Sequence, residues 1–197
     1  MAERKACVER TTKETKIVAK LNLDGSGQSN ISTGIGFFDH MLAGFAKHGL
    51  FDLELTCEGD LEVDSHHTIE DCGIVLGEAI KQALGEKTAI KRYGNFMLPM
   101  DEALVLCAID LSGRPYLNYD VTYTTPRMGE MDAEMAREFF YAVSYSAGMN
   151  LHLKQISGLN NHHICESCFK AFGKALDQAT MMEERLNGQV WSTKGVL

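Results

Sequence analysis

Residues 64–71 read DSHHTIED, and residues 160–167 read NNHHICES. Each stretch holds two adjacent histidines, with a glutamate three residues after the second histidine. A lone histidine pair is most often part of a surface turn, and one such motif carries little information. Two copies of the same arrangement in one chain indicate an internal duplication, so the rest of the sequence can be aligned outward from them.

The segments before the two histidine pairs align as well. LFDLEL at 50–55 falls on GMNLHL at 148–153, and the loop that follows is two residues shorter in the second half. The alignment matches His40 with Glu138, His66 with His162, His67 with His163, and Glu70 with Glu166. It predicts one compact domain made of two halves, 1–90 and 91–186, followed by a C-terminal tail at 187–197.

Hydropathy patterning gives both halves the same order of elements. Alternating segments are typical of half-buried strands, and apolar residues at helical spacing are typical of amphipathic helices. Each half is therefore predicted to be a β-β-β-α-β-α unit, which makes the fold class α+β. The predicted helices are 36–47, 66–84, 132–147 with Asp132 as N-cap, and 162–186; the predicted strands are 7–12, 15–23, 29–33, 51–59, 95–100, 102–113, 115–123 and 149–158.

Composition excludes several classes of partner. The chain has 197 residues and a formal net charge of -8, with no basic cluster, which argues against binding to nucleic acid or an anionic membrane. A small anionic substrate stays possible, because a few local cations can outweigh the global charge. The first residues lack the apolar core of a signal peptide, so we expect a cytoplasmic protein with reduced thiols, including the helical CxxC pair Cys165 and Cys168.

The two HHxxE motifs have the chemistry of a metal site. Imidazole and carboxylate are ligands for divalent ions such as zinc, manganese, iron and nickel. His66 and Glu70 are four residues apart and so share one helix face, whereas adjacent histidines point about 100° apart on a helix. The spacing therefore predicts two ions, each taking one histidine of a pair, with His40 and Glu138 as further candidates.

Longer stretches of the chain carry a family resemblance. GFFDHMLAGFAKHGLFDLEL, DSHHTIEDCGIVLG, DEALVLCAIDLSGRPYL, NNHHICESCFKAFGKAL and the final STKGVL together resemble the imidazoleglycerol-phosphate dehydratase family over essentially the whole chain. The resemblance implies a lyase that dehydrates D-erythro-imidazole glycerol phosphate to imidazole acetol phosphate in histidine biosynthesis, through an imidazolate bound by two Mn²⁺ ions. It also implies a 24-subunit homo-oligomer with sites at subunit interfaces, and four helices packed between two four-stranded mixed sheets.

The resemblance assigns roles to individual positions. The metal ligands it implies are His40, His66, His67, Glu70, Glu138, His162, His163 and Glu166. The proton-transfer residues it implies are Glu14 and Glu166, and the substrate-binding residues are Glu14, His48, Arg92, Arg114, Lys170, Ser192, Thr193 and Lys194, with the tail folding over the substrate. The chain departs from the family pattern twice: Glu138 stands where a histidine is usual, and Gly44 where many members have a glutamine near the phosphate.

Several alternatives stay open at this point. A dinuclear metallohydrolase or a non-catalytic metal-binding module would also carry paired HHxxE motifs, although a metal store has no need of Arg92, Arg114, Lys170 and Lys194. Without the resemblance, Glu14 would be interpreted as a solvated charge on a strand. Arg114 could instead be a structural residue of its turn. His48 could cap the C-terminus of its helix or line the site.

Overall fold

A computed structural model describes residues 3–197, which fold into two halves with the same order of elements, apart from one short strand pair in the second half. The first half contains β1 (Lys5–Thr11), β2 (Thr15–Asn22), β3 (Ser29–Ser32), α1 (Gly36–Gly49), β4 (Asp52–Gly59) and α2 (His66–Leu84). The second half contains β5 (Tyr93–Met100), β6 (Ala103–Asp110), β7 (Tyr116–Asp120), the short pair β8 (Arg127–Met128) and β9 (Met131–Asp132), α3 (Met135–Ala147), β10 (Asn150–Ser157) and α4 (Asn161–Thr180). Among these described residues, no helix is long and apolar enough to cross a membrane.

The two four-stranded sheets have the same topology, and their equivalent strands pair in the same register. Their strand orders are β1-β2-β4-β3 and β5-β6-β10-β7, and in each the third strand of the half joins in parallel while the other pairings are antiparallel. Glu54 of β4 lies between Lys20 and Asn30, and His152 of β10 lies between Ala108 and Asn118, at the equivalent position of the second sheet. Both sheets are four-stranded and mixed, so the predicted fold is confirmed.

The four helices form the layer between the sheets. Helices α1 and α2 contact the first sheet and α3 and α4 the second, while α1 packs on α4 and α2 packs on α3. Phenylalanines fill the centre of this layer: the rings of Phe38 and Phe169 lie 5.3 and 5.0 Å from that of Phe139, and all three side chains are fully buried. Because each helix pair joins one half to the other, neither half can bury its helices alone.

Glycines bring the helices of each pair into backbone contact. A Cβ at Gly173 of α4 would lie 2.5 Å from the carbonyl oxygen of Phe45 in α1, and a Cβ at Gly77 of α2 would lie 2.8 Å from the carbonyl oxygen of Val143 in α3. Phe45 and Val143 are repeat equivalents, so the two helix pairs pack in the same way. Residue 138 therefore holds the same place relative to residue 70 as residue 40 holds relative to residue 166.

Substitution Gly173→Ala tests this close approach. The added methyl group forces the helices apart, and we expect a loss of about 1–3 kcal/mol in the free energy of unfolding. This loss should exceed the gain of up to about 1 kcal/mol from the higher helix propensity of alanine. Gly44→Ala is the matched control, because its Cβ meets only Lys170 Cγ at 3.8 Å, which is ordinary contact. Equal chemical denaturation curves for the two variants would contradict the proposed packing.

The strand boundaries shift by up to three residues from the sequence-based expectation, the β8–β9 pair was not predicted, and the largest differences among the helices are at the end of α4 and the start of α3. Helix α4 ends at Thr180 instead of continuing to 186, because Met181 turns to extended backbone and Met182 pairs with Ile90; a single 3₁₀ turn, Glu184–Leu186, follows. Asp132 is not the N-cap of α3, which begins at Met135. Its carboxylate accepts a hydrogen bond from Arg127 Nε at 2.6 Å, across the β8–β9 pair.

Candidate active site

Both histidine pairs lie in the first turn of a helix, and polar side chains fix each turn. The side chain of Asn160 accepts hydrogen bonds from the backbone N–H groups of His162 and His163, at 2.9 and 3.4 Å. At the other pair, Asp64 Oδ1 accepts from the His66 N–H at 2.7 Å. These contacts satisfy backbone donors that a helix start leaves unpaired, so the backbone that carries each histidine pair has a fixed conformation.

His40, His162 and Glu166 form the first cluster. One ligand atom from each lies within 4.8 Å of the others, and Glu166 Oε2 is 3.0 Å from His162 Nε2 and 3.5 Å from His40 Nε2. The second carboxylate oxygen, Oε1, is 2.7 Å from Lys170 Nζ. Two imidazole nitrogens and one carboxylate oxygen around a common point are a donor set that suits a divalent ion, so these residues fit a metal.

Charge keeps the carboxylate of the first cluster ionised. Burial by itself would raise the pKa of Glu166, whose side chain is 7% exposed, but the Lys170 ammonium and the neighbouring His40 bring the pKa below its usual value. An ionised carboxylate offers its lone pairs to an ion or to a proton. Because Lys170 holds Oε1, Oε2 is the oxygen directed at the two histidines.

The repeat-equivalent residues His66, Glu70 and Glu138 are called the second cluster below; within residues 3–197, only the first cluster has three ligand atoms within 4.8 Å of one another. His66 Nε2 lies 3.7 Å from Glu70 Oε2, one turn away on α2. Glu138, half-buried on α3, pairs instead with Arg137 Nη1 at 2.8 Å. The equivalent helix packing places residue 138 of α3 opposite the turn of α2 that carries Glu70, although the Glu138 side chain is paired with Arg137. Arg137 offsets the extra negative charge that a second carboxylate brings there.

His67 and His163 each face a carboxylate that the sequence did not single out. Asp60 Oδ2 lies 3.0 Å from His67 Nδ1, and Glu102 Oε2 lies 2.9 Å from His163 Nδ1. These hydrogen bonds raise the pKa of both histidines, and the bonds from His163 and from the Asn160 N–H lower the pKa of Glu102 to about 2. The signal that could have found Glu102 is its place in the repeat, because it stands in the hairpin equivalent to that of Glu14.

Glu14 lies in the β1–β2 hairpin beside the second cluster. Its Oε1 is 3.8 Å from His67 Nε2, its side chain is 53% exposed, and its backbone carbonyl accepts from the Asp60 N–H at 3.1 Å. The hairpin is held to α2 by hydrogen bonds from Arg10 and Thr15 to Asp71. A carboxylate on an anchored turn, free to meet solvent or a ligand, can act in proton transfer.

The arginines lie at the opposite end of the helix layer. The Arg92 N–H donates to Ala179 O near the end of α4, and 13 residues of helix between Glu166 and Ala179 span about 20 Å. Arg114 follows Gly113, which packs against Gly148 at the C-terminal end of α3. Within one chain, therefore, Arg92 is far from the first cluster, and Arg114 lies at the opposite end of α3 from Glu138.

The C-terminal tail runs beside these arginines. Gln189 O accepts from the Ala89 N–H at 2.9 Å, and Arg92 Nη1 donates to Trp191 O at 2.8 Å while its Nε pairs with Asp110 at 2.7 Å. The backbone of Leu197 comes next to Gly113. Ser192 is half-buried and Thr193 and Lys194 are exposed, and the Lys194 N–H donates to Ser192 Oγ at 3.2 Å. The tail thus carries its polar groups to the arginine end of the molecule.

His48 and Gly44 lie along the same side of α1 as His40. Burial and the nearby Lys170 and Lys174 lower the pKa of His48, so its ring is neutral at physiological pH. The missing side chain at Gly44 leaves space next to the Lys170 stem. Lys170, one turn after Glu166, contacts the first cluster directly, and its ammonium group is also near His48. Elsewhere, His152 is exposed on β10, and Cys165 and Cys168 are free thiols buried in α4.

The fold and its side chains define a class: an internally duplicated α+β protein with an HHxxE motif at the equivalent helix start of each half, and with three ligand atoms brought together around one of the two motifs. The family model of imidazoleglycerol-phosphate dehydratase matches residues 33–176. The chain is 64% identical over 194 residues to the imidazoleglycerol-phosphate dehydratase of Lachnoclostridium phytofermentans, with 98% of each chain covered. It is 60% identical over 195 residues to that of Acetivibrio thermocellus, covering 99% of this chain and 100% of the relative.

Solved structures agree with the sequence relatives. The crystal structure of the dehydratase from Pyrococcus furiosus superposes with a TM-score of 0.84 at 40% identity, covering 96% of this chain and 100% of that one. The Staphylococcus aureus structure gives a TM-score of 0.82 at 36% identity, covering 90% and 99%. The chain belongs to the imidazoleglycerol-phosphate dehydratase family. It is a lyase of histidine biosynthesis that dehydrates imidazole glycerol phosphate.

Proposed function

We propose that this dehydration depends on two Mn²⁺ ions per site, held by the two clusters and by His67 and His163. The observation that carries the proposal is the first cluster, in which His40, His162 and Glu166 bring three ligand atoms within 4.8 Å of one another. The equivalent packing of α2 on α3 supports a second ion between His66, Glu70 and Glu138. Glutamate is a competent ligand for manganese, so Glu138 can serve where the family usually has a histidine.

The bound ions would supply Lewis acidity that stabilises negative charge on the imidazole ring of the substrate. The remaining steps belong to the chain's own acids and bases. Elimination of water removes a proton from one carbon and a hydroxide from the neighbouring carbon, and the enol that forms becomes the ketone by a further proton transfer. The reaction therefore needs one group that accepts a proton and one that protonates the leaving hydroxyl.

Glu14 and Glu166 fit these two roles. Glu14 is exposed on its hairpin and lies 3.8 Å from a ring nitrogen of His67, so it can exchange a proton with a substrate at the second cluster. Glu166 faces the first cluster with Oε2 while Lys170 fixes Oε1, which allows it to act as ligand and as proton carrier. The two carboxylates belong to different halves, so a substrate lying between clusters would have one on each side.

Arg92 and Arg114 are the proposed ligands of the substrate phosphate. Their distance from the clusters of the same chain supports a site shared between subunits. Arginine binds phosphate through its planar fork of donors, and Arg92, Arg114, Ser192, Thr193 and Lys194 lie together near the tail. Along the helices, Arg92 is about 20 Å from Glu166 of its own chain and Arg114 is about 15 Å from the level of Glu138, both beyond the length of the substrate. A neighbouring chain of a homo-oligomer, with 24 subunits as the family resemblance implies, can bring its arginine end to these clusters, and Lys170 and His48 supply the local cation and ring.

An assay with purified protein tests the proposal. Metal-free protein should lack turnover of imidazole glycerol phosphate, and adding Mn²⁺ should restore formation of the ketone, followed by the absorbance of its enol. Mn²⁺ uptake measured in parallel should approach two ions per chain. Full activity after exhaustive chelation would sink the metal proposal while leaving the dehydratase function intact. Uptake of metal without turnover would instead point to a binding module.

A further inference from the structure

The second histidine of each pair is held by one carboxylate on the same ring nitrogen. Asp60 presents both oxygens to His67 Nδ1, at 3.0 and 3.2 Å, and Glu102 presents Oε2 to His163 Nδ1 at 2.9 Å. Both acids are partly shielded, with side chains 19% and 35% exposed. The same contact thus occurs in both halves, although the two acids come from different parts of the repeat.

The acid that contacts Nδ1 comes from a different position of the repeat in each half. Glu102 is the second residue of the two-residue β5–β6 turn, since Met100 pairs with Ala103. Glu14 occupies the same position of the β1–β2 hairpin, where the Thr12 N–H bonds to Thr15 O. Asp60 is the first residue after β4, and the residue at that place after β10 is Gly158, which has no side chain. The hairpin acid contacts Nδ1 in the second half only, and the loop acid does so in the first.

We propose that Asp60 and Glu102 are positioning residues, which fix the tautomer of His67 and His163 so that Nε2 of each ring is the metal-binding nitrogen. The inference rests on the proposed metal site. A carboxylate accepts a hydrogen bond and cannot donate one, so the neutral ring must carry its proton on Nδ1. The lone pair is then on Nε2, and the hydrogen bond strengthens that nitrogen as a ligand.

This difference between the halves also explains why the Glu14 carboxylate is available for proton transfer. If the first half used the arrangement of the second, Glu14 would be occupied at Nδ1 of His67, as Glu102 is at His163. Asp60 takes that place instead, and Glu14 Oε1 lies 3.8 Å from Nε2, beyond hydrogen-bond distance. Asp60 therefore has two effects: it orients a ligand, and it leaves the hairpin acid of the first half free for proton transfer.

Substitution Glu102→Gln is the sharpest test, because it should invert the tautomer without disturbing the loop. Glu102 Oε1 accepts from the N–H groups of Leu159 and Asn160, at 3.2 and 2.7 Å, and the carbonyl oxygen of glutamine keeps those bonds. The amide NH₂ then faces His163 Nδ1 and donates to it, which moves the ring proton to Nε2. We expect Mn²⁺ affinity to fall about 10–100-fold, with unchanged assembly and thermal unfolding.

Substitutions of Asp60 provide the comparison for Glu102→Gln. Both of its oxygens lie near His67 Nδ1, so Asp60→Asn can turn its carbonyl oxygen toward the ring and keep the tautomer. We expect Asp60→Asn to bind Mn²⁺ within a few-fold of the unaltered chain, and Asp60→Ala to lose about 10–100-fold. Glu62→Gln, an exposed acid in the same β4–α2 loop, controls for the lost charge and should not change binding.

The readout is Mn²⁺ binding to the assembled protein, followed by electron paramagnetic resonance of the free ion, with Co²⁺ absorption as a second probe of ligation. Unchanged binding in both Glu102→Gln and Asp60→Ala would overturn the inference. Equal weakening by Asp60→Asn and Asp60→Ala would also overturn it, because charge and not ring orientation would then be the cause. If the unaltered chain itself takes up no Mn²⁺, the proposed metal function fails first, so the two failures are distinguishable.

Discussion

Replacing Glu14 by glutamine should reduce kcat by about 10²–10⁴-fold, the usual contribution of a proton-transfer group. The amide keeps the shape of the side chain and cannot exchange the proton. Metal binding should stay within a few-fold, because Glu14 Oε1 is 3.8 Å from His67 Nε2 and the ring is held by Asp60. Steady-state kinetics at saturating Mn²⁺, together with a Mn²⁺ titration, separates the two effects.

Glu9→Gln is the control for this substitution. Glu9 is an exposed acid on β1, the strand that leads into the same hairpin, and contacts neither cluster. Its replacement removes the same charge and should leave kcat, KM and Mn²⁺ affinity unchanged. A Glu14→Gln protein that loses its metal would show that Glu14 is a ligand and not a proton carrier. A fully active one would remove it from the mechanism.

Co-expression of two inactive variants should restore activity if each site is shared between chains. Arg114 is exposed at the C-terminal end of α3, about 15 Å along the helix from the level of Glu138. At substrate concentrations well below the raised KM, Glu14→Gln and Arg114→Ala should each remove most of the activity of a homo-oligomer, the first through kcat and the second through KM. In mixed assemblies, random pairing leaves about one site in four with neither change, so activity should return to about a quarter of the unaltered level.

The outcome of the mixing experiment decides between two geometries. If all residues of a site come from one chain, every site in a mixed assembly contains one of the two substitutions. The mixtures would then be as inactive as their components. Recovery requires the Glu14 and Arg114 of a working site to come from different chains. Mixing the same Glu14→Gln chain with a Lys170→Ala chain tests how the two clusters are combined, since Glu14 lies beside the second cluster and Lys170 beside the first.

The internal duplication could be predicted from the sequence because the two halves share the same residue spacing and hydropathy pattern. The sequence alignment matched His40 with Glu138 at an offset of 98 residues and Glu70 with Glu166 at an offset of 96. The glycine contacts Gly173–Phe45 and Gly77–Val143 are related by the same two offsets in three dimensions. Strand alternation and helical periodicity depend on neighbours a few residues away, and these are visible in the sequence. The end of α4 was not predicted, because the pairing of Met182 with Ile90 is a long-range contact that overrides helical patterning after Thr180.

The sequence by itself determined the order of the main elements, the two-fold repeat, the family and the candidate residues, since each of these follows from residue type and spacing along the chain; it did not contain a signal for the short β8–β9 pair. Only the tertiary structure decided which of those residues meet. It brought His40 to His162 and Glu166, put Asp60 and Glu102 on the Nδ1 atoms of His67 and His163, and carried Arg92 and Arg114 to the far end of the helix layer. The reason is that side-chain contacts across elements depend on how whole helices and sheets pack, and a one-dimensional pattern does not contain those distances.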